Sequence, residues 1–169
     1  IMTSHLKYLS GYSLIIQNKV QEMVTNKTLS SYLLSKYPKA HQIYNDKTLR
    51  IYVMNIKNQY LKKSEPLSQI KYDDKIHVIN NALGLHTYVS RVQGNKLKSK
   101  NEIRISELFK TGPEAFLEMI VAHELAHIRI KSHDKAFYQL CQYMLPDYHQ
   151  LEFEMRVYLT QLELKGDIY

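Results

Sequence analysis

The stretch from Phe116 to Ile128 constrains this chain most. Phe116, Leu117, Met119, Ile120, Val121, Ala122, Leu125, Ala126 and Ile128 make it apolar on nearly every side. A helix with that pattern is one that other elements enclose. Its polar exceptions are His123, Glu124 and His127. Burying two imidazoles and a carboxylate is costly unless they are partnered, and a metal ion with its bound water satisfies all three.

The spacing points the same way. Residues four apart on a helix share a face, so the imidazoles of His123 and His127 can converge on one ion while Glu124 leans toward it. Zinc in hydrolytic sites takes three protein ligands and leaves a fourth position for a water, whose pKa falls toward ~7. Glu124 is the candidate general base for that water. Upstream, Thr111-Gly112-Pro113-Glu114 reads as the helix start, with Thr111 as N-cap, Pro113 in the first turn and Glu114 as capping-box partner.

A third ligand is needed, and His133 leads. It follows a short polar stretch, Arg129 to Ser132, and stands just before a helix whose core face is Phe137, Leu140, Cys141 and Met144. The competitors are Glu152 and Glu154, on a last helix striped by Leu151, Met155, Tyr158, Leu159 and Leu162; both also read as solvated helix-face charges. The longer metzincin pattern, with a glycine before its third histidine, is absent. His5, His41 and His77 read as surface residues. His86, His149, Tyr138 and Tyr148 could serve an oxyanion, but a structural role is the simpler reading.

His123-Glu124-Leu125-Ala126-His127, five residues, then His133-Asp134-Lys135-Ala136-Phe137-Tyr138 and Pro146-Asp147-Tyr148 resemble the YgjP-like metallopeptidases and their WLM and SprT-like relatives. Ile103 to Leu108, Pro113-Glu114 and Val121-Ala122 resemble the strand and helix entrance of the same domain. The resemblance implies a zincin-like fold, zinc held by His123, His127 and His133, and Glu124 as base. Ser90 to Gly94 stands where that family typically carries a Trp-Gly-Ser-Cys stretch, which points to a divergent branch.

Elsewhere the chain reads as helices first, then strands. Leu9, Tyr12, Ile16, Val20 and Met23 mark one helix, Leu29 to Tyr37 a second, and Leu49 to Tyr60 a third. Ile70 to Tyr72, Ile76 to Ile79, Leu85 to Val92 and Ile103 to Ile105 read as strands, with turns at Asp73-Asp74, Asn80-Asn81 and Gly94-Asn95. The expectation is an α+β fold: a small mixed sheet, the helix carrying the histidines, and several packing helices. One domain over 1–169 is expected, with 1–62 mainly helical and 68–165 holding the sheet and site helices.

At 169 residues a chain buries around 70% of its unfolded surface, enough for a core without disulfides. Cys141 is the sole cysteine and sits on a core stripe, so a buried thiol is expected. No secretory h-region and no run of ~20 apolar residues is present, which points to a cytoplasmic protein and no membrane partner. The net charge is +7. Lys96, Lys98 and Lys100 alternate near Arg91 and Arg104, either to discourage edge-to-edge aggregation or to bind nucleic acid weakly.

The functional expectation is a zinc metallopeptidase acting on a peptide or protein. One alternative is a DNA-associated protein of SprT or WLM type whose metal site is structural or acts on DNA-bound proteins. Another is a hydrolase of something other than peptides, because the same machinery suits other electrophiles.

Overall fold

Helices come first in the computed structural model, which describes residues 4–76, 89–93 and 96–169. A short 3-10 turn, Ser4–Leu9, leads to α1 (Leu14–Thr25), α2 (Leu29–Lys36) and α3 (Asp46–Tyr60). The single helix expected from Leu9 to Met23 is broken. Ser10, Gly11 and Ser13 are turn and cap residues, and Ser13, extended, accepts from the Ile16 N–H to start α1 afresh. At α3 a capping box joins Asn45 and Thr48, the Thr48 N–H reaching Asn45 Oδ1 at 2.8 Å.

Strands β1 (Gln69–Asp73), β2 (Val89–Gln93), β3 (Lys96–Lys100) and β4 (Glu102–Ser106) follow. β1 and β4 pair in parallel, with Ile70 opposite Ile103 and Tyr72 opposite Ile105, so one face is apolar. On the other face Arg104 lies between Asp73, at 3.3 Å, and Glu102, at 3.4 Å. β2 and β3 form an antiparallel hairpin that sets Arg91 opposite Lys98, Gln93 opposite Lys96 and Val89 opposite Lys100. Among the described residues these are two separate two-stranded sheets, one parallel and one antiparallel, where the sequence predicts a single small mixed sheet; the α+β class stands. The strand expected over Ile76 to Ile79 falls outside the described residues except for Ile76, which is not in a strand. The start of Leu85 to Val92 and the turns at Asn80-Asn81 and Gly94-Asn95 also lie outside them.

The chain closes with α4 (Glu114–Ala126), α5 (Lys135–Met144) and α6 (Tyr148–Lys165). α4 is the enclosed helix: only Glu114, Ala115 and Glu118 are not buried. A buried aliphatic or aromatic side chain is worth about 1.5–3 kcal/mol, so the run from Phe116 to Ala126 anchors α4 rigidly. Its core is continuous with residues from the other helices and the parallel strands, among them Leu33 of α2, Leu49 of α3, Ile105 of β4 and Tyr158 of α6.

Two details near the start of α4 differ from the sequence reading. The N-cap is Pro113, without a side-chain cap bond, and not Thr111. A proline has no N–H to satisfy and its φ of −62° is already suited to a helix entrance. His41 is buried, not a surface residue. Its Nδ1 accepts from the Ile43 N–H at 2.9 Å, its Nε2 donates to the Phe109 carbonyl at 2.7 Å, and its backbone N–H donates to the Gly112 carbonyl at 3.0 Å. His41 therefore ties the segment between α2 and α3 to the entrance of α4.

Gly112 packs against α6 so closely that a Cβ there would lie 2.8 Å from the Tyr158 hydroxyl oxygen and 3.1 Å from its ring. Tyr158 is itself held, stacked on Phe116 with ring centroids 5.3 Å apart. Gly112→Ala is therefore expected to cost about 1–3 kcal/mol through overpacking, read as a lowered urea midpoint at unchanged slope; an unchanged midpoint would mean that Tyr158 yields. Cys141 is fully buried and burial pushes its thiol up to about 12. Since the thiolate is the reactive form, the native protein should resist a thiol reagent at pH 8 that labels the urea-unfolded chain quickly.

Candidate metal centre

The last turn of α4 carries His123, and His127 forms its C-cap. Ile128, Arg129 and Ile130 then fold back on the helix end, their N–H groups donating to the carbonyls of Leu125 and Ala126. Arg129 Nε donates to Ser64 Oγ at 2.8 Å, fastening this loop to the chain beyond α3. Asp134 caps α5 by accepting from the Phe137 N–H at 2.9 Å. His133 is thereby returned toward α4.

The three rings meet at their Nε2 atoms. His123 and His127 are 3.2 Å apart there, His127 and His133 3.0 Å, and His133 and His123 3.2 Å. Each neutral imidazole carries one proton for two nitrogens, so a triangle this small cannot be held by three mutual hydrogen bonds. It has the size expected of nitrogens that share one ion through ~2.0–2.1 Å bonds. Among the described residues this is the group able to hold a metal ion. His123 and His127 are buried and His133 is exposed, which opens the cluster to solvent on one side.

The outer nitrogens are held too. His127 Nδ1 is 3.0 Å from the Ile130 carbonyl oxygen. A carbonyl only accepts, so His127 carries its proton on Nδ1 and keeps the Nε2 lone pair for the cluster. His123 Nδ1 is 2.7 Å from the hydroxyl of the fully buried Tyr148. Below the rings lies Phe137, fully buried, with its centroid 4.9 Å from His123, 4.5 Å from His127 and 5.0 Å from His133.

Glu124 is buried, and its Oε1 has no hydrogen-bond partner among the described residues. Burial alone pushes its carboxyl well above the usual carboxylate range. An orphaned buried carboxylate beside three converging imidazoles fits a nearby cation and its water, which would supply both a hydrogen bond and compensating charge. The donor set therefore passes the test for a divalent ion such as zinc.

The competing carboxylates stand elsewhere. Glu154, expected as a solvated charge, is buried, and its Oε1 accepts from Lys36 Nζ at 2.7 Å and Gln150 Nε2 at 2.9 Å. Glu152 lies 3.6 Å from Arg156 Nε. Neither belongs to the cluster. Tyr138 lies beside the cluster, its ring centroid 6.4 Å from that of His133, and His149 packs on Tyr138 with centroids 5.3 Å apart. His86 lies outside the described residues. Sequence reasoning leaves Tyr148 off the candidate list and reads Phe137 only as core; the Pro146-Asp147-Tyr148 run is the available signal, but nothing in the spacing says which ring the hydroxyl meets.

A family model described as a YgjP-like metallopeptidase domain matches residues 10–158. A protein of Escherichia coli (strain K12) named UTP pyrophosphatase is 52% identical over 161 residues, which cover 95% of this chain and 96% of that protein. No solved structure matches. Identity at that level over nearly both full chains does not fit the remote branch that Ser90 to Gly94 points to. No helix among the described residues is long and apolar enough to cross a membrane.

Phe137→Ala would remove the ring that, among the described residues, packs against all three imidazoles. The expected cost is about 3–5 kcal/mol of stability, measured by urea unfolding, with a loss of divalent-ion uptake by whatever chain stays folded. Full uptake by the folded variant would show that the histidines hold their places without it.

Proposed function

This chain belongs to the YgjP-like metallopeptidase family, and from that premise we propose that it hydrolyses UTP to UMP and pyrophosphate at a divalent-ion site. Its ligands in this proposal are His123, His127 and His133, the ion is zinc, and Glu124 is the general base. The observation that carries the choice of substrate is the near full-length identity of 52% to a protein named UTP pyrophosphatase. The triangle of Nε2 atoms supports the ion, and the unpartnered Glu124 Oε1 supports the base.

When bound, the ion supplies Lewis acidity, polarising substrate oxygen and lowering the pKa of a water toward ~7. Glu124 then accepts the proton of the attacking water, a role that its burial favours because a desolvated carboxylate is the stronger base. The water oxygen bonds to the α-phosphorus, the bond to the bridging oxygen breaks, and pyrophosphate departs with the electron pair. Rigid α4 and the loop bonded to its end keep the three imidazoles and Glu124 from rearranging as charge builds. A single domain over 1–169 belongs to the same reading, since the core joins the first helices to the site helices.

A second reading is peptide-bond hydrolysis, favoured by the family description and by the His-Glu-x-x-His helix, whose residues suit a carbonyl carbon as well as phosphorus. A peptide or protein would then be the substrate, and Glu124 would also have to return its proton to the leaving amine. Were a nucleic acid also bound, the basic residues Arg91, Lys96, Lys98 and Lys100 of the β2–β3 segment would supply the phosphate contacts.

The test is to follow pyrophosphate release from UTP and cleavage of an unstructured protein side by side. Wild type should release pyrophosphate, lose that activity on chelation and regain it with zinc. Glu124→Gln should keep about one ion per chain by mass spectrometry yet fall about 10²–10⁴-fold in kcat, and His133→Ala should lose the ion where Glu154→Ala keeps it. Proteolysis without nucleotide hydrolysis would replace the first reading by the second, and a fully active Glu124→Gln would remove Glu124 as base.

A further inference from the structure

Lysine is almost never buried without an ionic partner. Lys57, in the last turn of α3, is only 4% exposed. Its ammonium has three hydrogens to place, yet the hydrogen bond it makes goes to the Ser64 carbonyl, at 3.3 Å. Among the described residues no carboxylate pairs with it. The C-terminus of α3 favours a cation, but it presents only about half a negative charge. Lys57 is therefore a buried charge without a full counter-charge.

A second cation meets the same serine. Arg129 Nε donates to Ser64 Oγ at 2.8 Å. Arg129 is exposed, pairs with no carboxylate among the described residues, and keeps both Nη groups for another partner. Lys62 and Lys63, both exposed, stand immediately before Ser64. The carboxylate that follows, Glu65, is engaged by Asn101 Nδ2 at 2.7 Å. Positive charge thus gathers at Ser64 without a partner built into the fold. Its place is telling, since Arg129 lies in the loop between His127 and His133, two residues past the first and four before the second.

We propose that Arg129, Ser64 and Lys57 form an anion site beside the metal centre, and that it holds the β- and γ-phosphates of a nucleoside triphosphate. This deepens the UTP reading above and rests on it for its ligand. A guanidinium pinned through Nε offers its Nη–H fork, a geometry that suits phosphate oxygens. Lys57 acts from beneath: salt screens a buried charge far less than an exposed one, so its field reaches an anion on Arg129. Lys62 and Lys63 add to the field that draws the anion in. With the terminal phosphates held here, the charge that gathers on the departing pyrophosphate is met by cations already in place. A neutral peptide bond gives this charge no comparable use.

The test is pyrophosphate binding, read without catalysis. Inorganic pyrophosphate is titrated by calorimetry into the metal-free full-length chain at low salt, for wild type, Arg129→Ala, Lys57→Met and Ser64→Ala. Wild type should bind it, and more weakly as salt rises. Arg129→Ala and Lys57→Met should each lose about 10–100-fold in affinity, the scale of a lost hydrogen bond to a charged group. Ser64→Ala, which cuts the tie to Arg129 but keeps both cations, should lose less; this separates the charge from any loosening of the loop. Lys57→Met should also unfold at an equal or higher urea midpoint, because it removes a buried unpaired charge at similar volume. A lysine kept for structure alone would give a lowered midpoint with affinity unchanged. With zinc restored, KM for UTP should rise in Arg129→Ala and Lys57→Met.

A wild-type chain that binds no pyrophosphate would overturn the proposal, as would wild-type affinity in Arg129→Ala and Lys57→Met. Should Arg129→Ala fail to fold, Lys57→Met alone decides. Pyrophosphate bound through Arg129 and Lys57 by a chain that hydrolyses no UTP would uphold the anion site and overturn the nucleotide reading. Hydrolysis of UTP with KM unchanged in both variants would do the reverse.

Discussion

Three imidazole nitrogens held 3.0–3.2 Å apart at the edge of an apolar core have to share something positive, because lone pairs pointed at one another repel and the rings lack the protons to satisfy all the contacts. Everything around them can be read as a response to that requirement. The protons must sit on the outer nitrogens, so each outer nitrogen needs a partner that will take a hydrogen bond. For His127 the chain provides a backbone carbonyl from its own following turn, and for His123 a side chain from another helix. The difference matters because a carbonyl has no choice of role, while a phenol borrows its role from its neighbours.

Rigidity is supplied by packing. α4 is enclosed by the other helices and the sheet, and Phe137 from α5 fills the space beneath all three rings. The two long-range ties at the ends of α4, His41 at the entrance and Arg129 with Ser64 at the exit, fix its axis against segments far away in sequence. A loop that had to fold around the ion on binding would lose affinity to ordering entropy; here the ordering is done by the core.

The geometry is indifferent to the electrophile, which explains how a family described by peptidase activity can hold a relative named for a nucleotide substrate. Attack on a carbonyl carbon and attack on phosphorus both need a deprotonated water and a cation near the developing oxygen charge. They differ at the leaving group. An amide nitrogen has to be protonated as it departs, whereas pyrophosphate leaves as a delocalised anion, so the second half of the base's duty is dispensable for UTP. Substrate choice therefore depends on what surrounds the cluster, whose solvent-exposed side is at His133, with Tyr138 beside it.

How much of this was legible in the sequence follows from what kind of information each feature carries. The buried helix, His123 and His127 on one face, the turn that returns His133 and the core stripe of α5 are all periodic or local signals, and each stands where the spacing placed it. What failed was non-local. His41 looked like a lone surface histidine because its partners, Phe109 and Gly112, lie far along the chain. Helix periodicity does mark which residues of α6 share a face, but not which element that face meets, so Glu152 and Glu154 read alike. In the fold Glu154 pairs with Lys36, while Glu152 pairs with Arg156 one turn along its own helix. A carboxylate that pairs with an arginine on its own helix has the same spacing as one that would reach across to a metal. Only coordinates separate the two, because the residue type suits either role and the partner that decides between them is set by how α6 packs and not by its period.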